Sequence, residues 1–437
     1  MIHERRVLCV CPSFPPIAYP DCLRLRLTLP YFQEFGWNPT VLCIDSRFVE
    51  GPKDPKLAEF LPSNLKIIHS YCIPANWSRK LGLGNLALRA LPFLIQSVAQ
   101  HFERKAFDLV FFSTTVFLSM VLGRYWLWRY QVPYILDFQD PWLSDYHRRS
   151  GSLHQSWKCQ ISQTLASLLE PFTLRRATHV ISVSPGYVDT LLKRYSWLKP
   201  EQFTVLPFGA AETDFSILEQ CPIKHSHFNS ADGMQHWVYV GRGGSDMAFA
   251  LRCLFQALKR SRQQEPKKFS NLLLHFIGTD YAPTTARKTV EPIAIECGVG
   301  DMVREHPQRI PYFEALQCLL DADALIVLGS DDPSYTASKI YPYILAQKPL
   351  LAIFHEMSSV VSVLRATKAG TVVTFKTGEE IDQVSEAISA NWLRYLPFST
   401  PETDWKAFIP YTGREMTRQQ CAIFDRCLNL TKSVEKL

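Results

Sequence analysis

Short apolar runs alternate along this chain with longer amphipathic stretches, and the alternation predicts strands separated by helices. "RRVLCVC" reads as a buried strand closed by Pro12, and "RLRLTLPYFQEFGWNPTVLCID" as a helix ended by Gly36 and a second strand. "FDLVFFST", "PYILDF", "THVISVS" and the start of "FTVLPFGAAETDF" continue the strand series. Helical stretches lie between them at "TVFLSMVLGRYWLWRY", "QISQTLASLLEPFTLRRA" and "PGYVDTLLKRY". A polar, irregular segment follows, and then the pattern restarts with "HWVYVGRGG", "NLLLHFIGTD", "ALIVLGS", "PLLAIF" and "GTVVTF". Strands separated by helices imply parallel sheets covered on both faces.

The predicted organisation is two Rossmann-like α/β domains, 1–215 and 236–400, joined by a linker at 216–235. Terminal helices at 401–437 are expected to pack back towards the first domain. A chain of 437 residues is long enough for two cores. The net charge of +6 belongs to the first half. Residues 1–215 carry 23 Lys and Arg against 17 Asp and Glu, and the remainder carries 24 of each. The excess points to an anionic partner surface such as a membrane or a polyphosphate; no nucleic-acid motif accompanies it. Twelve cysteines without a C-x-x-C pair read as reduced, buried thiols of a cytoplasmic protein. No clustered metal ligands are apparent, so no metal is expected. "VLCVC" is too short for the apolar core of a signal peptide, and Leu109 to Gly123 is the longest uncharged stretch, at 15 residues. A spanning helix needs roughly 20. The segment 78–105 mixes basic residues with Leu, Phe and Ile, which fits either a membrane-interface helix or a surface helix packed on its own sheet.

Open parallel sheets bind ligands beyond the carboxyl ends of their strands. Four such ends in the second half carry glycines or polar groups. "VGRGG" supplies Gly241, Arg242, Gly243 and Gly244, and "FIGTD" supplies Gly278, Thr279 and Asp280. "VLGSDDPSYTASK" supplies Ser330, Tyr335, Ser338 and Lys339, and "AIFHE" is the fourth. Glycine lets a ligand approach the backbone, arginine grips phosphate with a fork of donors, and a helix starting near Ser338 to Pro342 would aim N–H groups at an anion. Each feature also has a plainer use: a turn, a cap by Asp280, or a solvated Lys339. "VGRGG" is not the dinucleotide fingerprint, because Asp246 takes the last glycine position. In the first half, Asp137 and Asp140 of "DFQDPW" follow a strand and suit either a base or a turn. "PSFPPIAYPDCLR", with Ser13 and Asp21, forms a proline-stiffened loop that could wall a cleft. Asp321 and Asp323 precede a strand and read as a solvated helix end.

Taken in order, these segments resemble the GT-B glycosyltransferases, particularly the retaining family-four enzymes, over nearly the whole chain. "PSFPP", "GWNPTVLCID", "DFQDPW", "ATHVISVSPGYVDTLLKRY" and "VLPFGAAETDF" are similar to the family's acceptor-side pattern. "YVGRGG", "HFIGTD" and "SKIYPYILAQKPLLAI" are similar to its donor-side pattern. "DFQDPW" resembles the D-x-R-D-P-W form of one subgroup. The resemblance implies two parallel-sheet domains facing across a cleft, no cofactor and no obligatory metal. It also implies a nucleotide-diphosphate sugar as substrate, with a UDP-sugar favoured, and a lipid-linked or glycan acceptor. Arg242, Lys339 and Asp140 take the catalytic positions, with Ser338 beside Lys339 at the phosphate. Arg309 and Ile310 fall where the backbone reads the base. Ser13, Asp21 and Asp137 fall on the acceptor side. The enzyme would work at the cytoplasmic face of a membrane. Departures are also visible: no lysine follows Arg242 in "GRGGSDMAFA", and "IAYPD" replaces the family's paired glycines. Ser334 and Pro342 stand where the family has a pair of glutamates, one of which binds the donor ribose. The alternatives are a non-catalytic scaffold of a polysaccharide assembly complex and a sugar-nucleotide epimerase of the same fold.

Overall fold

The computed structural model describes residues 4–78, 84–143, 157–280, 285–332 and 339–434, with side chains at 157–161 and 430–434 left aside. The chain divides into two compact units, Met1–Gly209 with Gly413–Leu437, and Ala210–Thr412. The first unit holds a seven-stranded sheet of β1 (Arg5–Val10), β2 (Trp37–Ile44), β3 (Lys66–Ser70), β4 (Leu109–Ser113), β5 (Tyr134–Phe138), β6 (His179–Ser182) and β7 (Phe203–Val205). The second holds six: β8 (Gln235–Val240), β9 (Leu272–Ile277), β10 (Val303–His306), β11 (Ala324–Leu328), β12 (Leu350–His355) and β13 (Thr371–Phe375). The orders are β3-β2-β1-β4-β5-β6-β7 and β10-β9-β8-β11-β12-β13. Every pairing is parallel; Val7, for example, lies opposite Pro39 on one side and Leu109 on the other. The order therefore reverses between β1 and β4 in one sheet and between β8 and β11 in the other. A crevice opens beyond the strand ends at such a reversal.

Each predicted strand is present, and two more, β3 and β10, complete the edges. Their sequences, "KIIHS" and "VREH", are short and half polar because an edge strand is covered less than a central one. Two independent cores follow from the two sheets. One gathers Leu8, Leu42, Val110, Phe112, Leu136 and Trp126; the other gathers Trp237, Leu254, Leu274, Phe276, Ile326 and Ile353. Cys9, Cys11 and Cys43 are buried free thiols in the first core, and burial pushes the Cys11 and Cys43 thiols up, Cys43 to about 12.

Chain boundaries differ from the pattern-based ones. Glu212–Gln220 is a helix, so only 221–234 is irregular, and the tail returns to the first unit from Gly413. The returning helix Gly413–Val434 buries Phe424 against Trp37, Phe32 and Phe111, with ring centroids 5.2 to 6.1 Å apart. Its Asp425 accepts from the indole of Trp37 at 2.9 Å. The irregular segment is held by histidines. His236 Nδ1 lies 2.9 Å from His275 Nε2, His227 Nε2 lies 3.1 Å from Glu314, and the rings of His227 and His306 are 4.9 Å apart.

Most of the basic segment forms helix Leu86–Glu103. Ala90, Leu94, Val98 and Phe102 are buried in the first core, and Arg89, also buried, donates to the Ile73 carbonyl at 2.7 Å. Its apolar side packs on its own sheet, the second of the two uses expected for 78–105; residues 79–83 lie outside the described set. Among the described residues no helix is long and apolar enough to cross a membrane.

Candidate functional site

In the second unit the loop after β8 turns sharply at Gly241, whose φ of +151° suits glycine. A side chain there would also crowd Lys339, since a Cβ would stand 3.0 Å from its Nζ. Arg242 follows, and its guanidinium engages both oxygens of Asp246, at 2.8 and 2.7 Å. That ion pair holds the Asp246 carboxyl below the usual range, chiefly through the hydrogen bonds from Arg242. Gly243 donates to the Thr279 carbonyl at 2.7 Å, and Asp331 donates to the Asp246 carbonyl at 2.8 Å. The ends of β8, β9 and β11 are thereby laced into one surface at the reversal of strand order.

Lys339 reaches this surface from the foot of helix Ile340–Leu345. Its ammonium donates to the Tyr239 hydroxyl and lies 4.2 Å from the ring centroid. The Tyr239 hydroxyl in turn donates to the Arg242 carbonyl at 2.6 Å. Burial, then Arg242 and Arg309, push the Lys339 ammonium down to about 7, against an opposing effect of Asp246. Two cations and one carboxylate thus act on a third cation, an arrangement suited to a multiply charged anion. Tyr343 fixes the helix to the strand: its hydroxyl accepts from Val240 N at 2.7 Å and donates to Val240 O at 3.0 Å.

The remaining expected residues fall as follows. Gly244 lies in the same loop, where a Cβ would strike the Arg242–Asp246 pair. Gly278, at φ +73°, donates to the His306 carbonyl, and a Cβ built there would stand 4.0 Å from the Arg309 Cα. Thr279 is buried and donates to Glu305 at 2.5 Å, while the Asp280 carboxylate accepts from Arg287 N at 2.8 Å. Arg309 is exposed and Ile310 half-buried. Ser330 is buried and accepts from Asp332 N at 3.1 Å. Tyr335 and Ser338 lie outside the described residues, as does Ser334. Pro342 is the third residue of a helix only six residues long. A helix that short carries little dipole, so side-chain cations rather than the helix end supply the positive field. Pattern reading missed Tyr239 and Tyr343, which look like ordinary strand and helix core residues, and treated Asp246 only as a missing glycine.

The first unit spends its charges internally. Asp137 is fully buried and its Oδ2 accepts from Arg24 Nε at 2.8 Å, Gln139 Nε2 at 2.8 Å and Ser113 Oγ at 3.3 Å. Arg24, also fully buried, donates to the carbonyls of Leu206 and Pro207 at 2.6 and 3.3 Å. Burial raises the Asp137 carboxyl while Arg24 opposes it. This placement makes Asp137 an anchor of the strand end, while its Oδ1 has no partner among the described residues. Ser13 is buried in the loop after β1. Asp21 is buried beside the end of β4, where Oδ2 accepts from the Thr114 hydroxyl at 3.1 Å and Thr115 N at 3.3 Å. Its Oδ1 has no partner among the described residues, and burial raises its carboxyl. Asp140 is exposed at the end of the "DFQD" run, though partial desolvation of its carboxyl raises it. Asp321 and Asp323 serve as the helix-end groups expected: Asp321 accepts from Gln317 at 2.8 Å and Asp323 from His236 N at 2.8 Å.

Residues 24–209 match the sequence profile of the glycosyl transferase 4-like domain. No curated protein matches the chain by sequence. Among solved structures, a glycosyltransferase from Rickettsia africae is 13% identical with a TM-score of 0.55, the match covering 98% of this chain and 99% of that one. HepE from Anabaena, solved in complex with UDP and glucose, is 15% identical with a TM-score of 0.52, covering 99% and 100%. The N-terminal domain of trehalose-6-phosphate phosphatase from Candida albicans is 12% identical with a TM-score of 0.58, covering 97% of each. At these identities the likeness is one of fold: two parallel α/β units in the GT-B manner.

Proposed function

We propose that this protein is a retaining glycosyltransferase that moves a sugar from a nucleotide-diphosphate donor, a UDP-sugar favoured, to a lipid-linked or glycan acceptor. The observation that carries the reading is the grouping of Arg242, Arg309 and Lys339 at the strand-order reversal of the second unit. In the proposed reaction the acceptor oxygen bonds to the anomeric carbon as the bond to the diphosphate breaks. The acceptor's proton passes to the departing phosphate oxygen on the same face. The cations stabilise the charge that collects on the diphosphate, and no metal ion is required for that task. Tyr239 holds Lys339 in place, and Asp246 holds the Arg242 guanidinium aligned through its two oxygens. UDP bound by the structural relative HepE supports the choice of base. On the acceptor side, Asp140 is exposed and Asp21 keeps an unused oxygen at the other reversal.

Pro342 in place of the ribose-binding glutamate favours a second reading, a donor-binding scaffold without turnover. Thermal unfolding with UDP, GDP and dTDP, followed by nucleotide release from the matching sugars with a polyprenyl-diphosphate acceptor, separates the readings. Stabilisation by UDP with release of UDP is the expected result. Stabilisation without release from any donor selects the scaffold, and no stabilisation by any nucleotide overturns both.

A further inference from the structure

Helices Val121–Tyr130 and Trp157–Leu174 of the first unit leave large apolar side chains in water. Trp128 is 72% exposed, Leu168 63% and Phe172 44%. They form one face. Arg124 donates to the Phe172 carbonyl at 2.6 Å and its guanidinium lies 4.0 Å from the Phe172 ring centroid. Trp128 is one turn beyond Arg124, and Leu168 one turn before Phe172. Trp126, on the other side of the first helix, is buried in the core, so this helix is apolar on two sides. Only one of those sides is needed to hold the fold.

The charge around the face has one sign. Among the described side chains of these helices and the turn that follows, the cations are Arg124, Arg129, Arg175 and Arg176. The one carboxylate, Glu170, is buried and accepts from Arg194 and from the Tyr195 hydroxyl, each at 2.8 Å. An indole and aliphatic groups ringed by arginines match the headgroup zone of a bilayer, where rings sit at the acyl boundary and guanidiniums reach phosphates. We infer that this face docks on an anionic lipid bilayer. The contrast with Leu86–Glu103 is instructive: that helix has the more basic sequence context but buries its apolar side. The inference is independent of the donor reading, since docking requires no nucleotide.

The test is co-sedimentation of the full chain with vesicles of phosphatidylcholine alone or with about one third phosphatidylglycerol. The wild-type protein is expected to bind the anionic vesicles, less so as salt rises. Combined Trp128→Ser, Leu168→Ser and Phe172→Ser is expected to weaken binding at least about tenfold while circular dichroism and the unfolding temperature stay as in the wild type. Arg129→Gln and Arg175→Gln are each expected to weaken it about fivefold on anionic vesicles only. Absence of wild-type binding, or equal binding by the triple variant, overturns the inference. So does a wild-type dimer that the triple variant converts to monomer without any vesicle binding, which assigns the face to a second copy of the chain.

Discussion

Asp137 in the first unit and Arg242 in the second both stand just past or at the end of a strand in a parallel sheet, yet their surroundings differ in kind. Asp137 is sealed from water and answered by Arg24, which is itself sealed and satisfied by two carbonyls. Arg242 is paired with a part-exposed Asp246 and has further cations beside it. In the first case charge cancels charge and the result is architecture. In the second, like charges are held together by the fold at a cost that an anion would relieve. A charged residue at a strand end therefore signals a ligand only when its neighbours fail to cancel it.

The largest effect that can break this comparison comes from the sealed pair. Replacing Asp137 by Ala leaves Arg24 buried without its anion, and the first unit is expected to lose about 3–5 kcal/mol in urea unfolding. Unchanged stability with lost transfer would make Asp137 a functional group instead. Next in size, Arg242→Ala and Lys339→Ala should each weaken UDP binding about 10- to 100-fold, as loss of a charge-assisted contact does. The ligand-free protein should lose less than about 1 kcal/mol from Arg242→Ala, because its pair is part-exposed.

The depressed Lys339 ammonium sharpens the same contrast through pH. A diphosphate favours the protonated form, so above about 7 binding must draw a proton from solvent. UDP affinity is expected to fall as pH rises beyond 7, towards about tenfold per pH unit, and Lys339→Arg should flatten the profile. A flat wild-type profile would remove Lys339 from the phosphate. The smallest effect lies in the histidine cluster. Burial, then His236, His306, Arg304 and His227, push His275 down to about 3. The unfolded chain then binds the extra proton between about 6.5 and 3, so this contribution is complete above 6.5 and declines as pH falls through that window. Stability of the second unit should drop by about 1 kcal/mol per pH unit there, and His275→Phe should reduce the slope.

Much of this was legible from pattern. The central strands, the paired units and the converging ends at Gly241, Gly278 and Ser330 follow from apolar periodicity and from glycines after strands. The edge strands β3 and β10 were not legible, because half-covered strands need few apolar residues. Asp137 looked chemically available because its partner, Arg24, lies 113 positions away and no local signal announces it. Tyr239 escaped notice for the converse reason. Its ring belongs to the core pattern of "HWVYV", and only the fold reveals that its hydroxyl emerges beneath Lys339. The basic segment around Leu86–Glu103 stayed open between two uses because composition reports which residues are present, not which side packs on the sheet.

The way the chain enters and leaves the second unit has a consequence for its history and its engineering. Ala210 N donates to Tyr411 O at 2.6 Å, and Ala210 pairs with Thr412, so entry and exit run side by side. Gly209, the last residue before entry, contacts Met416 just after exit. Seen as a linear message, residues 210–412 are an insert in a gene for the first unit, with both ends of the insert at one address. A short splice from Gly209 to Gly413 should yield the first unit as a free-standing protein, complete with Phe424 in its core. The same junction is where a different second unit could be exchanged for this one without disturbing either sheet.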